Sequence, residues 1–161
     1  MQHMKPEDTV DYHIKTAWHA ISRMYNQQAA KYKATMSEGF VLLNIKSDEG
    51  TPATKIAPLM GLESRSLTRI LKRLEDEGMI YKMKDPNDGR SVRIFLTDEG
   101  EKKRKISADT VKSFNVKVRS AIPENKLNLF FDVMSQINRL IEEVTKNKSL
   151  NNETKPNLLV K

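Results

Sequence analysis

The chain has 161 residues, enough for one domain of ordinary size with a real core. Its formal charge of +7 favours polyanionic partners without separating DNA from RNA or an acidic membrane surface. Charged residues make up 30%, glycine and proline number 6 each, and cysteine is absent, so disulfides, thiolate metal sites and thiol redox sensing are excluded.

A cysteine-free, helix-rich composition fits a reducing, cytoplasmic setting. No apolar run reaches membrane-spanning length, and Met1-Gln2-His3-Met4-Lys5 lacks the apolar stretch of a signal peptide, so no membrane partner is expected.

From about Pro6 to Tyr32, the residues Val10, Ile14, Ala17, Trp18, Ile21, Met24 and Tyr25 recur at steps of three and four. That spacing predicts a helix with one buried stripe. Thr35-Met-Ser-Glu38 has capping-box spacing and starts a second helix reaching Ile45, with Phe40 and Leu43 inward. Asp48-Glu-Gly50 breaks it, and Thr51-Pro52 reads as the N-cap and first residue of a third, short helix ending near Met60-Gly61. Pro58 inside that helix deletes a backbone bond, which predicts a distorted last turn or an early end.

A fourth helix spans Ser64 to Glu77, with Leu67, Ile70, Leu71 and Leu74 inward and Gly78 placed to close it in a left-handed conformation. Met79–Lys84 and Val92–Leu96 are strand candidates around the turn signal Asp85-Pro-Asn-Asp-Gly89, which makes a hairpin. Thr97 caps a fifth helix to about Arg119, with Asp98 and Glu99 in its first turn. Pro123 opens a sixth, carrying Leu127, Phe130, Phe131, Met134, Ile137, Ile141 and Val144 at helical spacing. After Lys146 the composition turns polar, so 147–161 is expected to be a disordered tail, apart from the apolar patch Leu158-Leu159-Val160.

The third and fourth helices, joined at Gly61-Leu62-Glu63, make a helix-turn-helix. The fourth confines its apolar residues to one face; the other carries Ser64, Arg65, Ser66, Thr68, Arg69, Lys72 and Arg73. A major groove admits an α-helix, and Arg, Ser and Thr near the N-terminal end read base edges there. Arg65 and Arg69, four apart, share a face and are the expected guanine readers. Ser64, Ser66 and Thr68 are expected on bases or phosphates, and Lys72 and Arg73 on phosphates. Thr51 and Thr54 offer hydroxyls and free N–H groups to a phosphate. In the hairpin, Asp88 either pairs with Arg90 or braces the turn, so that Arg90 is presented outward to a narrow minor groove, and both count among the expected DNA-binding residues. Arg93 either meets a phosphate or pairs with Asp88 or Asp85.

These residues resemble the MarR family of bacterial transcription regulators over about Thr9 to Val144. The most specific part is Asp88-Gly-Arg90 followed by Leu96-Thr97 and Gly100, which is similar to the family's wing signature. Gly61-Leu62, Ser66-Leu67-Thr68-Arg69, Leu74-Glu75 and Gly78-Met79-Ile80 resemble its recognition helix and exit into the wing. Pro58 departs from the pattern, where a polar helix former is usual.

The resemblance implies a mainly α fold with a small β-hairpin wing. A winged helix-turn-helix at 35–97 would sit between dimerisation helices at 5–34 and 98–146, in one domain over 5–146. It implies a homodimer reading a pseudo-palindrome in double-stranded DNA, with helix 64–77 in the major groove and wing 85–91 in the minor groove. A repressor is the expected role, and a small anionic or aromatic effector is expected between the dimer helices and the DNA-binding lobe. The wide apolar surface of the sixth helix asks for a second copy on its own account. Two-fold symmetry would place the recognition helices about 34 Å apart, one DNA turn.

Enzymatic function is disfavoured and no cofactor is expected. His3, His13 and His19 sit beside no carboxylate pair at metal spacing, and no glycine loop for phosphate is present. Trp18, His19, Arg23 and Tyr25 are candidates for a ligand pocket, with Trp18 and Tyr25 as plain core the alternative. The rival readings are a winged-helix protein-interaction module and a non-specific nucleic-acid binder. The first would expose apolar residues on the recognition face; the second differs in its specificity ratio.

Overall fold

The computed structural model describes residues 4–86 and 88–153, with side chains at 4–86, 88 and 91–146. In chain order it contains α1 (Val10–Ala30), α2 (Met36–Leu43), β1 (Thr51–Pro52), α3 (Ala53–Met60), α4 (Ser64–Asp76), β2 (Ile80–Asp85), β3 (Asp88–Leu96), α5 (Asp98–Ala121) and α6 (Glu124–Glu153). The chain forms two compact units, Met1–Ser113 and Phe114–Lys161. No described helix is long and apolar enough to cross a membrane.

The core of the first unit is built where the apolar faces of α2, α3 and α4 meet the inner side of the hairpin. Val41, Leu42, Ile45, Ile56, Leu67, Leu71, Leu74, Ile80, Ile94 and Leu96 are all buried there. The strands form an antiparallel sheet of order β1-β3-β2. Ile80 pairs with Leu96, and Lys82 with Ile94. Alternation along β3 holds for Ile94 and Leu96 and fails at Val92, which is exposed past the edge of the core. Both strands run further into the turn than expected, until Asp85 faces Asp88.

The expected capping box forms in full. Glu38 N–H donates to Thr35 Oγ1 at 3.3 Å, and Thr35 N–H donates to Glu38 Oε2 at 2.7 Å. Thr51-Pro52 does not start a helix. Thr51 pairs with Ile94 as the third strand, and α3 begins only at Ala53. Pro58 does not shorten α3 either: the helix runs through it to Met60, and the carbonyl left without its helical N–H is that of Thr54, an exposed residue. The helix closes normally, with Gly61 N–H bonded to the Pro58 carbonyl and Leu62 N–H to the Ala57 carbonyl.

Gly78 closes α4 at φ 70°, as its placement predicted. Thr97 then joins three elements: its hydroxyl donates to the Gly78 carbonyl at 2.7 Å and accepts from Gly100 N–H at 3.1 Å. A Cβ on Gly100 would lie 1.9 Å from the Met79 carbonyl oxygen, so only glycine fits there. The signature Thr97…Gly100 therefore fastens the exit of α4 to the start of α5.

The single buried stripe expected of α1 is not observed. Tyr25 is buried, but Val10, Tyr12, Ile14 and Trp18 are exposed, Trp18 at 50%. In the second unit, Leu127 is buried while Leu129, Phe130, Phe131, Leu140, Ile141 and Val144 are exposed. The backbone of α6 continues helically to Glu153, where the polar composition predicted a structureless tail from 147. The patch Leu158-Leu159-Val160 lies outside the described residues.

Candidate nucleic-acid interface

Helix α4 buries Leu67, Leu71 and Leu74, a spacing that turns the opposite face to solvent. On that face Ser64, Arg65, Thr68, Arg69 and Lys72 are exposed, and Ser66 is half-buried. Among the described residues, Arg65, Arg69 and Lys72 make no hydrogen bond or ion pair within the chain. The hydroxyl of Thr68 donates to the Ser64 carbonyl at 2.9 Å, so it reaches a ligand only by giving up that bond or by accepting. Thr54 is exposed in the first turn of α3.

Three expected contacts are corrected by the packing. Thr51 is buried, and its hydroxyl donates to the Asn44 carbonyl at 3.1 Å and accepts from Lys46 N–H at 3.0 Å. It closes the 44–51 turn and has nothing left for a phosphate. Arg73 is tied down as well. Its Nε lies 2.9 Å from Glu77 Oε1 and 3.0 Å from Glu38 Oε1, and its outer nitrogen reaches the Lys33 carbonyl at 3.5 Å. The Glu77 hydrogen bond first, then the charge of Glu38, raise its pKa above the usual guanidinium value.

Arg93 takes the pairing alternative: it meets Asp85 at 3.1 Å and donates to the Glu49 carbonyl at 2.9 Å, leaving its side chain 16% exposed. Arg93 thus clamps the base of the wing to the 44–51 turn. Asp88 is exposed at the start of β3. Arg90 has its backbone in β3, and its side chain lies outside the described residues.

Beside the Tyr81–Phe95 stack at 5.4 Å, Lys82 pairs with Glu75 and ties β2 to α4. Of the four residues considered for a ligand pocket, only Tyr25 lines the cavity of this unit. Trp18, His19 and Arg23 are exposed, and His13 bonds the Glu7 carbonyl at 2.7 Å. No group of three metal-ligating side chains exists among the described residues. The sequence reading missed the second use of Glu38. Capping-box spacing announced its bond to Thr35, but no local signal announces a partner on α4.

A bihelical turn, a basic helix face clear of protein partners and a clamped antiparallel hairpin define a winged helix-turn-helix. Residues 34–92 match the family model described as MarR family. The transcriptional regulator TtmR of Methylorubrum extorquens is 38% identical over 87 residues, 54% of this chain and 45% of TtmR. The chain thus spans under half the length of that relative. The regulator SarZ of Staphylococcus aureus is 29% identical over 105 residues, 63% of this chain and 71% of SarZ. Among solved folds, the S. aureus MepR–DNA complex superposes with a TM-score of 0.72 at 18% identity, covering 84% of this chain and 98% of that one. Over residues 34–92 the chain is thus similar to the MarR family, within the winged helix-turn-helix.

Proposed function

We propose that this chain is a homodimeric, sequence-specific DNA-binding transcription regulator acting as a repressor in the cytoplasm. The observation that carries the reading is the exposed face of α4, where Arg65, Arg69 and Lys72 stand without a partner among the described residues. Such a helix fits a major groove, Arg65 and Arg69 serving as base readers and Lys72 as a phosphate contact, with Ser64, Ser66, Thr68 and Thr54 as lesser contacts. The wing, 85–91, would present Arg90 to the adjacent minor groove, with Asp88 supporting its turn. MepR, which shares the fold, was crystallised on DNA.

A second copy of the chain is the natural cover for the apolar side chains exposed on α1 and on α6 (Val10, Ile14, Trp18; Phe130, Phe131, Ile141). The protein-interaction reading is disfavoured, because the α4 face is cationic and hydroxylic. A small-molecule effector completes the proposal as the signal that releases DNA.

The test is a titration on DNA flanking the chain's own gene against random DNA at several salt concentrations. Tighter binding to the flanking DNA by about 10³-fold or more is expected; equal affinities would leave only the non-specific reading. Arg90→Ala should weaken binding to both DNAs and reduce the salt slope by about 1. Unchanged affinity at every salt would remove the wing from the interface.

A further inference from the structure

The cations of α4 lie on one stripe, and the stripe ends abruptly. Arg65, Arg69 and Arg73 recur every four residues and share a face, each about 6 Å further along the axis. Beyond Arg73 the sequence turns acidic with Glu75, Asp76 and Glu77, so α4 itself offers no phosphate contact past Lys72. Arg73 is committed to Glu38, to Glu77 and to the Lys33 carbonyl.

That last bond brings another element to the end of the stripe. Residues 31–35 join α1 to α2, and two cations hold them from two sides. Arg73 of α4 reaches the Lys33 carbonyl at 3.5 Å, and Lys103 of α5 donates to the Tyr32 carbonyl at 2.5 Å. These carbonyls are taken up by the protein, while the side chains of Lys31, Tyr32 and Lys33 are exposed. Lys31 donates to Gln28 Oε1 at 2.9 Å. Lys33 makes no side-chain hydrogen bond or ion pair among the described residues.

Lys33 also stands at φ 55°, as the left-handed residue that closes α1. Its N–H bonds to the Ala30 carbonyl at 3.1 Å, and Ala34 N–H to the Ala29 carbonyl at 3.1 Å. Glycine takes such a position without strain, and any other side chain costs stability there. A lysine that strains its own backbone and touches nothing inside the chain has its use outside the fold.

We propose that Lys33 is a phosphate contact of the DNA interface, brought to the end of the α4 stripe by the Arg73 tether and acting where the guanidinium of Arg73 cannot. The assignment rests on the DNA-binding reading above. It sets one ammonium of the α1–α2 loop against the backbone beside the groove that α4 occupies, one turn past Arg69. A point charge on a flexible stem suits a phosphate and carries no base information. The contact therefore adds affinity and salt dependence without adding discrimination.

The experiment titrates the full chain on DNA flanking its gene and on random DNA at several salt concentrations, with Lys33→Gly, Lys33→Arg and Lys31→Ala beside the parent. Lys33→Gly should weaken both DNAs by the same factor, about two- to fivefold, and reduce the salt slope by about 1 per bound chain. It should also melt about 2–4 °C above the parent, since glycine relieves the left-handed strain. Weaker DNA binding by a more stable chain separates a contact from a folding defect. Lys33→Arg keeps the charge and should keep the parent's slope. Lys31→Ala should keep it too, because that ammonium is held by Gln28.

The parent's slope in Lys33→Gly would overturn the contact and leave the α4 reading standing. A loss of affinity accompanied by earlier melting would make Lys33 a structural residue and overturn the contact as well. So would a loss in Lys31→Ala as large as in Lys33→Gly, since the loop would then act as a diffuse charge. A parent chain that binds neither DNA would overturn the regulator reading and this contact with it, so the two failures are distinct in the data.

Discussion

Two sets of cations lie in the winged-helix unit, and they do opposite work. Arg65, Arg69 and Lys72 stand in solvent on α4 without a protein partner among the described residues. Arg73, one residue past Lys72, and Arg93 on β3 are held by Glu38 and Glu77 and by Asp85. The first set is available to an outside polyanion. The second holds the angles at which helix and wing would meet one. Residue type and proximity on the helix do not separate the two sets; the carboxylates facing them do.

The contrast breaks most visibly at Arg93. Arg93→Ala leaves Asp85, itself buried, without its guanidinium, and should cost about 3–5 kcal/mol in urea unfolding. A loss under about 1 kcal/mol would mean that the wing needs no clamp. Arg65→Ala and Arg69→Ala should each leave the melting temperature alone and cost roughly ten- to hundredfold in discrimination at particular base pairs. Should either variant melt early, the free set would have a structural duty.

Arg73→Ala should melt earlier than the parent by less than Arg93→Ala does, since its side chain is half-exposed, and should leave the salt slope of DNA binding intact. A slope reduced by about 1 would return Arg73 to the phosphate contacts. The smallest effect belongs to Lys72→Ala, which should weaken every DNA alike by a few-fold and reduce the slope by about 1, with no change in melting.

The apolar residues make the same point with the sign reversed. Leu67, Leu71 and Leu74 on α4 were legible as a face, and they are buried. Val10, Ile14 and Trp18 on α1 are equally legible as a face, yet they are exposed. Periodicity states that a face is apolar and leaves open what covers it. Glu38 shows the same limit for a polar group: its cap to Thr35 spans three residues and could be read, whereas its bond to Arg73 joins α2 to α4 and could not.

By itself the sequence determined the helices of the winged-helix unit, the Thr35–Glu38 box, the left-handed Gly78 and the hairpin, together with the basic face that faces away from the core. All of these rest on forces acting within a few residues along the chain: apolar spacing, side-chain caps and the conformational freedom of glycine. Only the tertiary structure decided that Thr51 closes a turn, that Thr97 and Gly100 pin α4 to α5, that Arg73 reaches beyond its helical neighbour Glu77 to Glu38 and Lys33, and that Arg93 is spoken for. Those outcomes depend on partners brought together by folding, 40 residues apart for Arg73 and Lys33 and 44 for Arg93 and Glu49. A guanidinium goes to whichever carboxylate or carbonyl the packing sets within about 3 Å, and no local pattern encodes that distance.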